Sequence, residues 1–288
     1  MTIELRTPGP DMMDAVLDAL RVWQGDGAAV QLHPGDVGWF HRFGPAATTA
    51  ALRVWTRHGE PVAVGLLDGP GLLRLNVAPE AYGDGELADR LVRDLADPAH
   101  GILGAGRAFV EAPMATSVHR LLAERGWAAD ERWTPLRRDL TDPVPDPGLR
   151  VEVAGPDRVA DRVAVQRAAF TGSTFTRERW DCMAAGAPYA DARCLVAYDD
   201  RGSPVATATV WSAGPGRPGL LEPLGVHAEH RGRGHGRVMA VAAASALRGL
   251  GASCALVTTP SANGPAVATY RAAGFRALPE THDSRRPS

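Results

Sequence analysis

The sequence predicts an α/β (α+β) fold in two domains, and three observations carry that prediction. The first is a spacer, Thr141-Asp142-Pro143-Val144-Pro145-Asp146-Pro147-Gly148, whose prolines can continue neither a sheet nor a helix. The second is a series of strand and turn signals that runs in the same order on both sides of the spacer. The third is a glycine-rich run, Arg231-Gly232-Arg233-Gly234-His235-Gly236, between an apolar stretch and a helix-like one. With 288 residues the chain is long enough for two ordinary domains. The boundaries this suggests are a first domain at 1–140, a linker at 141–148, a second domain at 149–280 and a flexible tail at 281–288.

Composition narrows the function classes. The chain is 45% hydrophobic with a formal net charge of −2, a balance unlike the basic excess of a nucleic-acid binder. No apolar run approaches the length of a membrane span, and Met1 to Arg6 do not read as a secretion signal, so a cytoplasmic location without membrane or nucleic-acid partners is expected. Cys182, Cys194 and Cys254 are odd in number and scattered, which fits reduced thiols better than a disulfide frame or a zinc site. His227, His230 and His235 lack a cysteine or acid partner at a zinc-site spacing, so no metal is expected.

Along the first half, Leu52–Trp55 and Pro61–Ala63 flank Gly59-Glu60 as a β-hairpin, and Leu72–Val77 and Phe109–Ala112 read as further strands. Along the second half, Leu195–Tyr198 and Pro204–Ala206 flank a turn at Gly202. Leu220–Val226 and Leu256–Thr259 then follow as strands. Gly126-Trp127 falls where Gly274-Phe275 falls. The chain therefore reads as a repeat.

The glycine-rich run sits between the strand ending at Val226 and the helical stretch Arg237–Leu250. Backbone N–H groups converge there on the positive end of a helix dipole, which suits a phosphate or pyrophosphate. A nucleotide-hydrolase loop would end in Gly-Lys-Ser/Thr, and the chain has no lysine. A dinucleotide fingerprint needs an acid at the end of the next strand, where this chain has Thr258-Thr259-Pro260. About thirty residues on stands Asn263-Gly264-Pro265-Ala266-Val267-Ala268-Thr269-Tyr270-Arg271-Ala272-Ala273-Gly274-Phe275. Asn263 can cap a helix, Gly274 can end it, and Ala266 and Tyr270 share one face of it.

Together the two segments resemble the Gcn5-related N-acetyltransferase (GNAT) superfamily. Its pyrophosphate loop, Arg/Gln-x-x-Gly-x-Gly/Ala, is matched by Arg231, Gly234 and Gly236, and its later Asn-x-x-Ala-x-x-x-Tyr-x-x-x-Gly-Phe motif is matched throughout. The resemblance implies two tandem GNAT domains, each a mixed, mostly antiparallel twisted sheet flanked by helices. It implies acetyl-CoA as cofactor and a primary amine as acceptor, attacked directly in a ternary complex. The amine is expected on a small molecule, with a protein N-terminus or lysine also compatible, and the protein is expected to be a monomer or homodimer. A module that binds acyl-CoA without catalysis is the alternative reading.

The implied cofactor residues are Leu224, Gly225, Val226, Arg231, Gly232, Arg233, Gly234, His235, Gly236, Arg237, Asn263 and Ala266. Tyr270 would protonate the departing thiolate. Glu222, on the strand lining the cleft, would either deprotonate the attacking ammonium or only bind a cationic acceptor. Phe170, Phe175, Trp180 and Tyr189 are candidates for the acceptor pocket, with Trp211 beside them. The first copy departs from this pattern. Tyr82-Gly83-Asp84-Gly85-Glu86-Leu87 stands in place of the glycine loop, with acids where an anion should sit, and Leu122 stands in place of the tyrosine. One active site per chain is expected, in the second domain, beside a degenerate first copy.

Overall fold

A computed structural model describes residues 2–27, 31–69 and 71–288. In chain order the strands are β1 (Ile3–Arg6), β2 (Leu52–Arg57), β3 (Glu60–Leu67), β4 (Leu72–Val77), β5 (Ala108–Glu111) and β6 (Ala128–Asp139). There follow β7 (Arg150–Val153), β8 (Ala192–Tyr198), β9 (Pro204–Trp211), β10 (Gly219–Val226), β11 (Cys254–Pro260), β12 (Arg276–Ala277) and β13 (Thr281–Arg286). The α-helices are α1 (Met13–Trp23), α2 (Pro34–Phe40), α3 (Pro45–Ala51), α4 (Gly85–Ala96) and α5 (Val118–Glu124). After the linker come α6 (Val159–Ala169), α7 (Arg177–Ala184), α8 (His235–Gly249) and α9 (Gly264–Ala272).

The chain forms two compact units, both discontinuous. The first comprises Met1–His33, Ala46–Trp133 and Glu280–Ser288, the second Pro34–Pro45 and Thr134–Pro279. In the first unit the strand order is β1-β2-β3-β4-β5-β13-β6. Its pairs are antiparallel except β4 with β5, which is parallel. The second unit runs from the distal part of β6 through β11, β10, β9 and β8 to β7, with β12 on β6. There β10 and β11 are the parallel pair. Each unit is thus a mixed, mostly antiparallel sheet carrying helices, the architecture the repeat predicts.

Local chemistry accounts for the elements that frame the site. The β8–β9 turn is closed by Asp199, whose carboxylate accepts from the Arg201 and Ser203 backbone N–H groups, while Gly202 takes a positive φ of 80°. Helix α8 is rich in alanine, which favours the helix and lets it lie close to the sheet. Its buried residues, among them Met239, Ala240, Ala243 and Leu247, join Ala206, Ala208 and Val210 of β9 in one apolar cluster. Asn263 caps α9 by accepting from the Ala266 N–H at 3.2 Å, and Gly274, at φ 84°, ends it.

Two expectations about boundaries change. Residues 281–288 are not a frayed tail, because Thr281–Arg286 form β13 and pair with both β5 and β6. Inward-facing Ser284 bonds His119 Nδ1 at 2.7 Å, and Arg286 donates to the carbonyls of Gly106, Gly104 and Ala96. The edge of β5 needs a partner, and this segment supplies one despite its polar composition. The division at residue 140 also shifts. Residues 134–139 belong to the second unit's sheet, and Pro34–Pro45 belong to that unit as well. Among the described residues, no helix is long and apolar enough to cross a membrane.

Candidate active site

The second unit's sheet opens where the glycine-rich loop predicts an anion site. Strand β10 pairs with β11 only at Gly219 and Leu220, and the strands part beyond that point. On its other edge β10 stays bonded to β9 through Leu224, Gly225 and Val226, opposite Ala208, Thr207 and Ala206. One backbone edge of residues 221–226 is therefore left unpaired with β11, a surface that an extended ligand can join as an added strand. Between Leu221 and Leu224 the register slips, so Glu222 and Pro223 bulge from the ladder. Gly225 has no room for a side chain: a Cβ there would meet Ala169 at 2.6 Å and the Phe170 ring at 2.8 Å.

Below this edge the loop turns into α8. Gly232 and Gly234 adopt φ of 76° and 82°, conformations L side chains rarely take, and Gly234 is the N-cap with no side-chain bond to the helix. The first-turn N–H groups of α8 are thus left without a side-chain cap, at the positive end of a helix that runs from His235 to Gly249. Gly236 lies against Thr269, which a Cβ would meet at 3.0 Å. The loop's arginines are partly committed. Arg231 donates to the Ala169 carbonyl at 2.7 Å and Arg237 to the Ala272 carbonyl at 3.1 Å, tying the loop to the ends of α6 and α9, whereas Arg233 is exposed. His235 opens the helix, and Ala266 packs against the core from α9.

Tyr270 projects from α9 and is 8% exposed, edge-on to Phe275 with ring centroids 5.8 Å apart. Burial raises the phenol's pKa well above its ordinary value, and the charge of Glu222 raises it further. The phenol is held in its protonated form, as a proton donor requires. Glu222 is half-buried in the β10 bulge, and its carbonyl accepts from Trp211 Nε1 at 2.8 Å. The structure thus brings a carboxylate and a protonated phenol into electrostatic contact between the open β10 edge and α9.

The aromatic residues divide. Phe170 is 37% exposed, with its ring at Gly225. Phe175 and Trp180 are buried in the core, and Tyr189 lies edge-on between Trp180 and Trp211, with centroids 6.1 and 6.2 Å apart. The rings therefore run from Trp180 to Trp211 and so to the Glu222 carbonyl, mostly as packing. Two features escaped the sequence reading. Gly38 of α2 sits so close to Trp211 that a Cβ would meet its ring at 2.4 Å. In the same segment Trp39 stacks on Phe175 at 5.4 Å, and Arg42 lies over Trp39. The run Trp39-Phe40-His41-Arg42-Phe43 was the available signal, but it stands before the linker. The other feature is Arg162, fully buried, bonded to Gln166 and Thr209 and lying over Phe175. Among the described residues no group of histidines, cysteines and acids is arranged to hold a metal.

The second unit thus combines a parted mixed sheet, a helix start without a side-chain cap, and a buried phenol under the charge of Glu222. Residues 163–275 match the model of the acetyltransferase (GNAT) family. The whole chain resembles a GCN5-related N-acetyltransferase from Sphaerobacter thermophilus, at 21% identity and TM-score 0.61, covering 99% of this chain and 95% of that one. It also resembles a tandem GNAT protein from the clavulanic acid biosynthesis pathway, at 17% identity and TM-score 0.59, with 99% and 98% covered. A GNAT-family acetyltransferase from Colwellia psychrerythraea shows 16% identity, TM-score 0.62 and 99% coverage of both chains. These likenesses establish a shared tandem fold. No curated protein matches the chain.

Proposed function

We propose that the chain is an acetyl-CoA-dependent N-acetyltransferase with one active site, in the second unit, acting on the primary amine of a small molecule. The observation that carries this reading is the open β10 edge running from Glu222 to the uncapped start of α8, with buried Tyr270 beside it. The residues fit the cofactor. Gly232, Gly234 and Gly236 would let its pyrophosphate approach the α8 N–H groups, and Leu224–Val226 offer backbone groups to its pantetheine arm. Arg231, Arg233, His235 and Arg237 add positive charge around the phosphates, and Asn263 and Ala266 shape the wall that α9 presents.

The bound cofactor supplies an acetyl thioester. Glu222 takes the proton that the acceptor ammonium must lose before its nitrogen can form the new C–N bond. The β10 N–H groups that β11 leaves unpaired would polarise the acyl carbonyl. Tyr270 would supply the proton that the departing thiolate requires. Phe170 beside Gly225, and the Tyr189–Trp211 pair next to Glu222, border the acceptor's approach, with Phe175 and Trp180 packed behind them.

Calorimetric titration with acetyl-CoA, followed by thiol release over a panel of amines, tests the reading. One site per chain and amine-dependent release are expected. Binding without release over the whole panel, with slow hydrolysis indifferent to Tyr270→Phe, would instead make the protein a non-catalytic acyl-CoA-binding module.

A further inference from the structure

The glycine loop carries more base than one pyrophosphate requires. Residues 227–237 hold His227, His230, Arg231, Arg233, His235 and Arg237 against one acid, Glu229. The imidazoles form a contiguous row, with ring centroids 5.3 Å apart for His227 and His230 and 6.2 Å apart for His230 and His235. The Glu229 backbone N–H donates to His227 Nδ1 at 3.3 Å, which puts the neutral ring's proton on Nε2. The Nδ1 of His230 is buried without a partner among the described residues. Asp199, from the β8–β9 turn, interacts electrostatically with His230 and His235, and its carboxylate is already held by the Arg201 and Ser203 N–H groups.

We infer that the His227–His230–His235 row is a second phosphate subsite, built for a phosphomonoester carried by the same ligand whose pyrophosphate meets α8. This rests on the acetyl-CoA reading, and in coenzyme A the matching group is the ribose 3′-phosphate. A phosphomonoester is a stronger acceptor of charge-assisted hydrogen bonds than a pyrophosphate oxygen shared with backbone N–H groups. Burial, then His230 and Arg233, hold His235 below its ordinary pKa in the free protein. An arriving dianion reverses that balance and draws a proton onto the row. Selectivity for the phosphomonoester therefore strengthens as pH falls through the imidazole range, with Asp199, Glu229, Arg231 and Arg233 as the fixed charges around it.

The test is calorimetric titration of the full chain with coenzyme A and with dephospho-coenzyme A, at about pH 6 and about pH 8, either side of the imidazole pKa. Coenzyme A should bind about tenfold tighter than dephospho-coenzyme A at the lower pH and about two- to threefold tighter at the higher. The variant His227→Asn/His230→Asn should bring the ratio towards one at both. Equal affinities for the two ligands in the unmodified protein would overturn the subsite and leave the cofactor reading standing. Failure of both ligands to bind would overturn both. Inorganic phosphate competing as well against dephospho-coenzyme A as against coenzyme A would also count against a separate subsite.

Discussion

The two glycine-bearing loops that follow β4 and β10 start helices of similar length and are finished in opposite ways. In the first unit Asp84 caps α4, accepting from the Leu87 N–H at 3.0 Å, and its other oxygen pairs with Arg57 at 2.6 Å. The positive end of that helix is already neutralised from within the chain. In the second unit Gly234 caps α8 with no side chain at all. The strands above the loops differ in the same sense. Near the end of β4, Asn76 donates to the Leu32 carbonyl at 2.8 Å, and Gln24, at the end of α1, donates to the same carbonyl. Counting back from the strand ends, Gly225 takes the place of Asn76, and Phe170, at the end of α6, takes the place of Gln24. There the contact is only ring against glycine. The first unit satisfies these polar groups internally, whereas in the second the proposed function assigns them to the cofactor.

The largest effect should come from making the second loop resemble the first. Gly234→Asp places a carboxylate at the start of α8 where the proposed pyrophosphate sits, and aspartate tolerates the left-handed backbone better than most residues. Acetyl-CoA affinity should fall by roughly 100-fold or more, read by titration calorimetry, with the protein still folded. Retained affinity would mean that α8 is not the anion site. Tyr270→Phe should come next, lowering kcat by on the order of a hundredfold or more while the acetyl-CoA Kd moves little. Because burial and Glu222 both push the phenol's pKa up, no alkaline loss of activity from Tyr270 should appear below about pH 10. A fall in activity near neutrality on the alkaline side, absent in Tyr270→Phe, would show that the phenol titrates and does not serve as a standing acid.

The parts of this comparison that the sequence made legible are those decided over short stretches of chain. The glycine loop, the Asn263 cap, the Gly274 stop and the acids at 84 and 86 are each read within about a turn of helix, where backbone conformation and capping chemistry are local. Residues whose partners are distant in sequence were not legible. Thr281–Arg286 shows no apolar alternation because its inward residue, Ser284, is satisfied by a hydrogen bond to His119, more than a hundred residues away. Trp39 and Gly38 look like core of the first half until their neighbours Phe175 and Trp211 are known. Phe175 and Trp180 are pocket candidates by their place in the loop that follows the second unit's first helix, and the sequence does not show that both side chains are buried. The pairing of Asn76 and Gln24 with the Leu32 carbonyl could not be read either, since a backbone group of any residue could accept those bonds.

The smallest effect concerns whether the first unit's internal cap is structural or only the remnant of a lost site. Arg57's hydrogen bond above all, with help from the Leu87 N–H and the Arg57 charge, holds the Asp84 carboxyl below the usual carboxylate range, although burial, the second-largest effect, pushes the other way. A carboxylate whose pKa is depressed on folding contributes stability above its unfolded pKa, about 3.9, and loses that contribution as pH falls through the folded value. Asp84→Ala should therefore lower stability at neutral pH by about 1 kcal/mol, the usual worth of an N-cap. The deficit should shrink in strong acid, read as the difference in Tm between variant and parent across pH. The same variant should not create a second acetyl-CoA site, because the Leu32 carbonyl and Asn76 still occupy the β4 end. Calorimetric stoichiometry should stay at one per chain. A second site appearing in Asp84→Ala would show that the Asp84 charge alone keeps the first unit from binding, and that the Asn76–Leu32 hydrogen bond does not.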